Sequence, residues 1–400
     1  MGIKGLVELD FVAPPKKKIK KDSVVMLEPN VYINKIAGVI GPNASGKSSI
    51  IRTLADLRIF LCQYKFIDYA KEQNDERLQK LLLEHRLPER NFENLEENSL
   101  IKLDLYIPNG EITGYYTYEL EYNDEILFER LFYRKKFNSK KIQKIEDYTS
   151  NEQRSDIGYK YYSKDSIIED YKNVSPKLKE AFEEKIKYYK TFYDYYVNDS
   201  SYILASQDID YIEKKEIVKF IIENKKITQK LLNLVDNKIK DVEIKKDVDG
   251  KYLVKFITFT RTELDIWNLS TGTIRMLKLI ITIVRTITND AVMLCDEIET
   301  ALHKELVQLV INMYIKNDSK GQLIYTTHLP EVLDQEEMRN DQKFYLSSKS
   351  GEITLRKVSE INPRADYSIS KNYYTDSNYA PQPTRESINE FCECVMKNKK

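Results

Sequence analysis

Gly41-Pro42-Asn43-Ala44-Ser45-Gly46-Lys47-Ser48 carries the pattern G-x-x-x-x-G-K-[ST], the spacing of a loop that cradles phosphates. The pattern counts only between a strand and a helix. Upstream, Lys35-Ile36-Ala37-Gly38-Val39-Ile40 reads as a short buried strand, and downstream Ser48 to Leu57 has the 3–4 spacing of an amphipathic helix. Such a turn converges loop N–H groups and the positive end of a helix dipole on one point, which makes an anion site. Gly41 and Gly46 permit backbone angles that a side chain forbids. Asn43, Ala44, Ser45, Ser48 and Ser49 then surround the anion, Lys47 reaches the β- and γ-phosphates, and Ser48 ligates Mg²⁺. The bland alternative is a glycine turn beside a surface lysine.

Outward from that loop, the bulk numbers set limits. A chain of 400 residues is long enough for two or three structural units. Charged residues make up 32% and balance to zero net charge, so no global basic field points to nucleic acid, although a local basic face is compatible. The four cysteines Cys62, Cys295, Cys392 and Cys394 fit neither a disulfide framework nor a four-ligand zinc site. No apolar run approaches the roughly 20 residues that cross a bilayer. Met1-Gly2-Ile3-Lys4 opens a strand-like alternation and not a signal peptide, so the expectation is a soluble cytoplasmic protein.

Residues 3–12 read as an edge strand, ended by Pro14-Pro15, with the basic run Lys16 to Lys21 in a hairpin loop and a returning strand Ser23 to Leu27. From Arg58 to about Arg90 the pattern is helical. Alternation then predicts strands at Leu100–Tyr106, Tyr115–Tyr122 and Ile126–Arg134, an antiparallel meander. Asn138 to Ile157 has loop character. Ser175-Pro176 caps a helix carrying Leu178, Phe182, Ile186, Tyr189 and Tyr193, and helices follow at Glu213–Glu223 and Thr228–Lys240. The tyrosines Tyr159, Tyr161, Tyr162, Tyr195 and Tyr196 lie among lysines, a composition that could stack bases but fits a Lys- and Tyr-rich chain better.

A second chemical region begins near residue 251. Lys251 to Thr260 is a strand, and Asn268-Leu269-Ser270-Thr271-Gly272-Thr273 leads into a helix over Ile274–Ile287. Ala291–Cys295 is a buried strand ending in Asp296-Glu297, and Gln322–Tyr325 is another ending in Thr326-Thr327-His328. Asp296 at a strand's carboxyl end can hold Mg²⁺ through water, and Glu297 can orient or deprotonate an attacking water. His328 sits where an imidazole could bond a γ-phosphate. Ser270 and the Gly272 amide open a helix and give a second anion site. Taken alone, Asp296-Glu297 could equally cap a helix; in order with the other motifs it reads as chemistry.

Leu269-Ser270-Thr271-Gly272-Thr273 resembles the signature loop of ABC-class ATPases, Asp296-Glu297 their acidic pair, and His328 their switch histidine. With Asp296-Glu297-Ile298-Glu299, Leu302-His303 and Thr326-Thr327-His328, the chain resembles the prokaryotic abortive-infection ATPases related to OLD proteins and to the ATPase half of PARIS-type phage defence. The resemblance implies an α/β fold, an ABC-type P-loop ATPase head with a mixed sheet, an antiparallel β-meander and a helical insertion. It implies 1–135 and 251–360 as the two parts of the ATPase core, 136–250 as the insertion and 361–400 as a tail.

It also implies ATP and Mg²⁺ as cofactors, catalysis by Glu297, His328 and Lys47, and Mg²⁺ on Ser48 and Asp296. Nucleotide would lie on Gly41, Pro42, Asn43, Ala44, Ser45, Gly46, Lys47, Ser48 and Ser49, with Ser270 and Gly272 facing the nucleotide of another subunit. The implied partners are a second copy, in a homodimer or larger oligomer, and a separate effector encoded nearby, with direct DNA binding left open and no membrane. Glu299 and His303 lie at the turn expected to cross that dimer interface.

Two departures stand out. Asp10-Phe11-Val12-Ala13-Pro14 replaces the arginine-bearing stretch common after the first strand, and no glutamine occurs between Gln79 and Gln143, so the Mg²⁺-sensing position is unassigned. An SMC-like repair or chromosome clamp shares the motifs but carries a long coiled coil that is missing here. A transporter's cytosolic subunit is a third reading, disfavoured by the meander. The 72 residues after His328 leave no room for an OLD-type nuclease domain, and Asp208-Ile209-Asp210 and Asp247-Val248-Asp249 precede the signature, so no nuclease activity is expected of this chain alone.

Overall fold

The computed structural model describes residues 7–14, 21–43, 45–72, 87–88, 98–108, 111–149, seven positions between 184 and 195, 214–236, 238–246, 252–300, 302–349, 352–362, 364 and 367–373. The chain opens beside a two-stranded ribbon, β1 (Val24–Glu28) and β2 (Val31–Asn34), which leads into β3 (Ile36–Ile40). The loop at 41–46 follows, then α1 (Lys47–Glu72). Next comes a four-stranded antiparallel meander of β4 (Ser99–Ile107), β5 (Gly114–Tyr122), β6 (Ile126–Arg134) and β7 (Gln143–Thr149). Helices α2 (Lys214–Glu223) and α3 (Lys225–Val235) precede a three-stranded sheet of β8 (Ile239–Lys246), β9 (Tyr252–Thr258) and β10 (Glu263–Leu264).

The remaining elements alternate: α4 (Thr271–Thr288), β11 (Val292–Cys295), α5 (Lys304–Lys316), β12 (Gln322–Thr327) and α6 (Pro330–Leu333). The hairpin β13 (Lys343–Lys349) and β14 (Glu352–Lys357) and the short helices α7 (Val358–Ile361) and α8 (Ile369–Asn372) end the described chain.

The central sheet has the order β11-β12-β3-β13-β14, with the first four strands parallel and β14 antiparallel at the edge. Every residue of β3 is buried, as expected of a parallel strand covered on both faces. Its side chains alternate between two cores. Ile36 and Ile40 join Met276, Leu277 and Tyr314 of α4 and α5, while Ala37 and Val39 join Ile50 and Leu57 of α1 and Tyr118 of the meander. Gly38 has no room for a side chain, since a Cβ there would lie 2.4 Å from Leu333 Cδ2 and 2.7 Å from the Tyr325 hydroxyl. The register matters for chemistry. Ile40 pairs with Thr327 and Tyr325 pairs with Cys295, so three adjacent strands release their carboxyl ends at one edge of the sheet.

Several expectations shift. The edge strand read over 3–12 is reduced, among the described residues, to the single bridge of Val12 with Ile33. The bridge is held by the Ala13 N–H on the Tyr32 carbonyl at 2.9 Å and the Asn34 N–H on the Phe11 carbonyl at 2.8 Å, while the Val12 N–H faces away from β2 and goes to Asp10 Oδ1. The basic run at 16–20 and the helix start at Ser175 lie outside the described residues, as do Asp208 and Asp210. Two strands, β7 and β8, fall inside the stretch 136–250 read as a helical insertion. β7 is polar, but Ile145 is buried, and Arg130 of β6 pairs with Asp147 at 2.9 Å across the ladder. The helix expected to reach Lys240 stops at Val235, where Asp236 Oδ1 accepts the Lys238 N–H and turns the chain into β8. Of the aromatic helix, Phe192 is buried and stacks on Tyr118 at 5.4 Å, and Tyr188 meets Tyr133 at 4.6 Å, so this segment covers the meander.

Candidate functional site

The phosphate loop is built tightly. A Cβ on Gly41 would sit 2.4 Å from the Leu346 carbonyl and 2.8 Å from Ser45 Oγ, and Gly46 holds φ 95°, where side chains are disfavoured. Lys47 opens α1 and is buried. Its ammonium donates to the Gly41 carbonyl at 2.8 Å and the Pro42 carbonyl at 2.7 Å. Burial lowers its pKa to about 8, against the pull of Asp296, Glu297 and Glu299. Ser45 Oγ is buried without a hydrogen-bond partner. Pro42, Ser48 and Ser49 are half-buried, Asn43 is exposed, and Ala44 lies outside the described residues.

The acidic pair leaves β11 beside this loop. A threonine organises it. Thr326, buried near the end of β12, donates its hydroxyl to Asp296 Oδ1 at 2.5 Å and accepts the Glu297 N–H at 2.7 Å. Its carbonyl takes the Ile298 N–H at 3.1 Å. Glu297 adopts φ 47°, a left-handed conformation that costs a non-glycine residue and persists where neighbours enforce it. Its exposed carboxylate lies 3.4 Å from His328 Nε2 and 3.4 Å from the Thr300 hydroxyl. Asp296, Glu297 and His328 therefore converge, while Lys47 feels the charge of both acids.

Ser270 is exposed and N-caps α4. Its Oγ accepts the Thr273 N–H at 3.0 Å, and the Thr273 hydroxyl passes on to Asp236 Oδ2 at 3.0 Å. The helix begins at Thr271, three residues earlier than its periodicity suggests, so Gly272 lies in its first turn. Glu299 turns back into the protein, and its Oε1 accepts the His328 backbone N–H at 2.5 Å. His303 is an exposed N-cap residue whose side chain makes no capping bond. Sequence reasoning gave no role to Thr326, because a threonine at a strand end looks like an ordinary β-former.

The loop accepts the group its spacing calls for. Gly41 leaves the cradle open, the orphaned Ser45 Oγ lines it, and Lys47 occupies carbonyls that it can exchange for phosphate. Ser48 and Asp296 offer a hydroxyl and a carboxylate, an oxygen set that suits Mg²⁺ completed by water and phosphate. Among the described residues no cluster of three or more His, Cys, Asp or Glu forms a metal cage, and no helix is long and apolar enough to cross a membrane.

A family model described as "AAA domain, putative AbiEii toxin, Type IV TA system" matches residues 36–334, a span holding the loop, the signature, the acidic pair and His328. No curated protein matches the chain. Among solved structures, an SmcHead bound to the C-winged helix domain of ScpA is similar at TM-score 0.42 and 12% identity, with 82% of this chain and 94% of that one covered. The SMC head domain from Thermotoga maritima is similar at 0.32 and 13%, covering 82% and 92%. A Smc head with an extended coiled coil, bound to the C-terminal domain of ScpA derived from Pyrococcus furiosus, gives 0.36 and 14%, covering 82% and 93%.

Proposed function

The chain belongs to this family of AAA domains, P-loop ATPases of mixed α/β fold, and from that premise we propose that it is an Mg²⁺-dependent ATP-hydrolysing sensor that pairs on ATP and controls a separate effector in anti-phage defence. One observation carries the catalytic part: the register of β11, β12 and β3 delivers Asp296-Glu297, His328 and the loop to one sheet edge. In this reading Lys47 gives up the Gly41 and Pro42 carbonyls and takes the β- and γ-phosphates, joined by the loop N–H groups and the start of α1. Mg²⁺ held by Ser48 and, through water, by Asp296 would neutralise charge on the phosphates. Glu297 accepts the proton of the attacking water, and Thr326 fixes the backbone from which that carboxylate projects. His328, beside Glu297 Oε1, bonds the γ-phosphate and registers its departure.

Ser270 and the Gly272 N–H, exposed or half-buried at the mouth of α4, are suited to the γ-phosphate of a second copy. The effector and the defence role rest on the resemblance to abortive-infection ATPases and on the toxin–antitoxin wording of the family description. The test compares wild type, Lys47→Ala and Glu297→Gln for ATP affinity, turnover and sedimentation with ATP. Lys47→Ala should lose binding. Glu297→Gln should bind, fail to turn over and accumulate as a pair. A Glu297→Gln variant that hydrolyses at the wild-type rate removes the base assignment, and pulling down the genomic neighbour with the trapped pair tests the effector.

A further inference from the structure

Glu299 is set apart from the residues placed so far. It sits in the turn after the acidic pair, and Thr326 already secures that turn through the Glu297 and Ile298 N–H groups. Glu299 is not needed to hold its own backbone. Its Oε1 reaches across to β12 and takes the His328 N–H at 2.5 Å, while Oε2 is buried with no hydrogen-bond partner. The neighbouring Leu329 N–H is served by Thr327 Oγ1 at 3.0 Å, so the His328 N–H is the one that depends on Glu299.

We propose that Glu299 is a positioning residue that ties the backbone of His328 to the acidic turn, so that the imidazole and the Glu297 carboxylate keep a fixed separation and move as one unit. The chemistry favours this over a merely structural tie. A hydroxyl or amide could accept one N–H at lower desolvation cost, whereas a carboxylate gives a charge-assisted bond, roughly twice as strong as a neutral one. The bond is part-buried, with Oε2 shielded from water. Burial pushes the Cys295 thiol to about 12 and the Tyr325 hydroxyl upward, and the charge of Glu299 adds to both. The ring that this backbone carries lies 3.4 Å from Glu297 Oε1, so a lapse of the tie displaces a group that faces the γ-phosphate in the proposed reaction.

The inference rests on the ATPase reading for its catalytic consequence and on geometry alone for the tie. Two readouts on the full-length chain separate them. The first is amide hydrogen exchange across Thr327–Leu329 without nucleotide. The second is kcat and KM for ATP with Mg²⁺. The variants are Glu299→Ala, Glu299→Gln and Glu299→Asp, each checked for folding by circular dichroism.

In Glu299→Ala the His328 amide should exchange at least about ten-fold faster, and kcat should fall about 10²-fold, the cost of a misplacement near 1 Å, with KM within about three-fold. Gln keeps a neutral acceptor of the same reach and should recover about half of each loss on a logarithmic scale; Asp keeps the charge but is one methylene short and should recover little. Asp restoring turnover while Gln does not would assign Glu299 a charge role and overturn the positioning role. Unchanged exchange in a folded Ala variant overturns the tie, and if Ala does not fold, unchanged exchange in the Asp variant does. Wild type without ATP turnover would count against the ATPase reading, with the exchange result still deciding the tie.

Discussion

Replacing Thr326 by valine removes one oxygen from the centre of the site while nearly preserving shape. That hydroxyl donates to Asp296 Oδ1 at 2.5 Å and accepts the Glu297 N–H at 2.7 Å, and the residue is fully buried. A bond to a charged group contributes about 1.5–3 kcal/mol, and an N–H left without its partner costs about 1–3 kcal/mol. Water reaches the exposed Glu297 side of the turn, so the lower end of the second range applies, and the net loss of stability should be about 2–4 kcal/mol. Part of that loss appears in catalysis. The left-handed backbone of Glu297 holds on the order of 1–3 kcal/mol of strain, released once its N–H is no longer pinned. If the carboxylate displaced by that relaxation loses about 2 kcal/mol of transition-state stabilisation, kcat falls roughly thirty-fold. Urea unfolding and steady-state ATP hydrolysis measure the two effects. Thr326→Ser keeps the hydroxyl and should hold turnover near wild type, at about 1 kcal/mol of stability for the missing methyl. Wild-type kcat in a folded Thr326→Val variant would refute the claim that Thr326 organises the acidic pair.

Ser270→Arg should leave ATP binding to a single chain intact and prevent ATP-induced pairing, because a long cation would enter the shared anion site; sedimentation with ATP in a Glu297→Gln background reads this out, and surviving pairs contradict the shared-site proposal. Asp334 answers to pH. Burial acts to raise its pKa, but bonds from Ser370, Ser368 and the Ile369 N–H outweigh burial and hold it below the usual aspartate value. A depressed folded pKa contributes stability above the unfolded value, near 3.9, and loses it as pH falls through the folded one. Thermal melts should therefore show wild type ahead of Asp334→Ala at pH 7 and the gap closing below about pH 4; a gap that widens on acidification is the wrong sign.

Legibility of the chain followed from how narrowly each function constrains its residues. A phosphate loop needs fixed spacing, glycine at crowded positions and a strand-to-helix setting, and all three are written locally at 36–57. The meander strands were legible because one face alternates into a core, as Tyr116, Tyr118, Leu120 and Tyr122 do in β5. β7 was not, because its buried face includes Glu146 beside Ile145, and a carboxylate in a core position reads as loop. The stretch around Val12 shows the limit of alternation: among the described residues Phe11 and Ala13 bond β2 and make only the one bridge with Ile33, and a period-2 pattern does not say how far a neighbouring strand extends beside it.

The same reasoning explains why the acidic turn could be located but not understood from sequence. Asp296, Glu297 and His328 are recognisable because each stands at the carboxyl end of a buried strand, where sheets of this kind present their ligand sites. What makes them a unit is the parallel pairing of Leu294 with Ile324 and Cys295 with Tyr325, which carries Thr326 into hydrogen-bond reach of the acidic pair, about thirty residues away in the chain. A strand registered one residue off would turn the Thr326 hydroxyl to the other face and leave the Glu297 N–H unserved. β11 and β12 are buried on both faces, so the register is held by the fit of each apolar side chain into its own core and not by the polar residues that depend on it. Met293 and Leu323 are buried on the α4 and α5 side, with Leu294 and Ile324 on the α1 side. Core packing at these four positions thus fixes where the carboxylates stand, and an overpacking change there, such as Leu294→Phe, would reach the site through register before it touched any charged group.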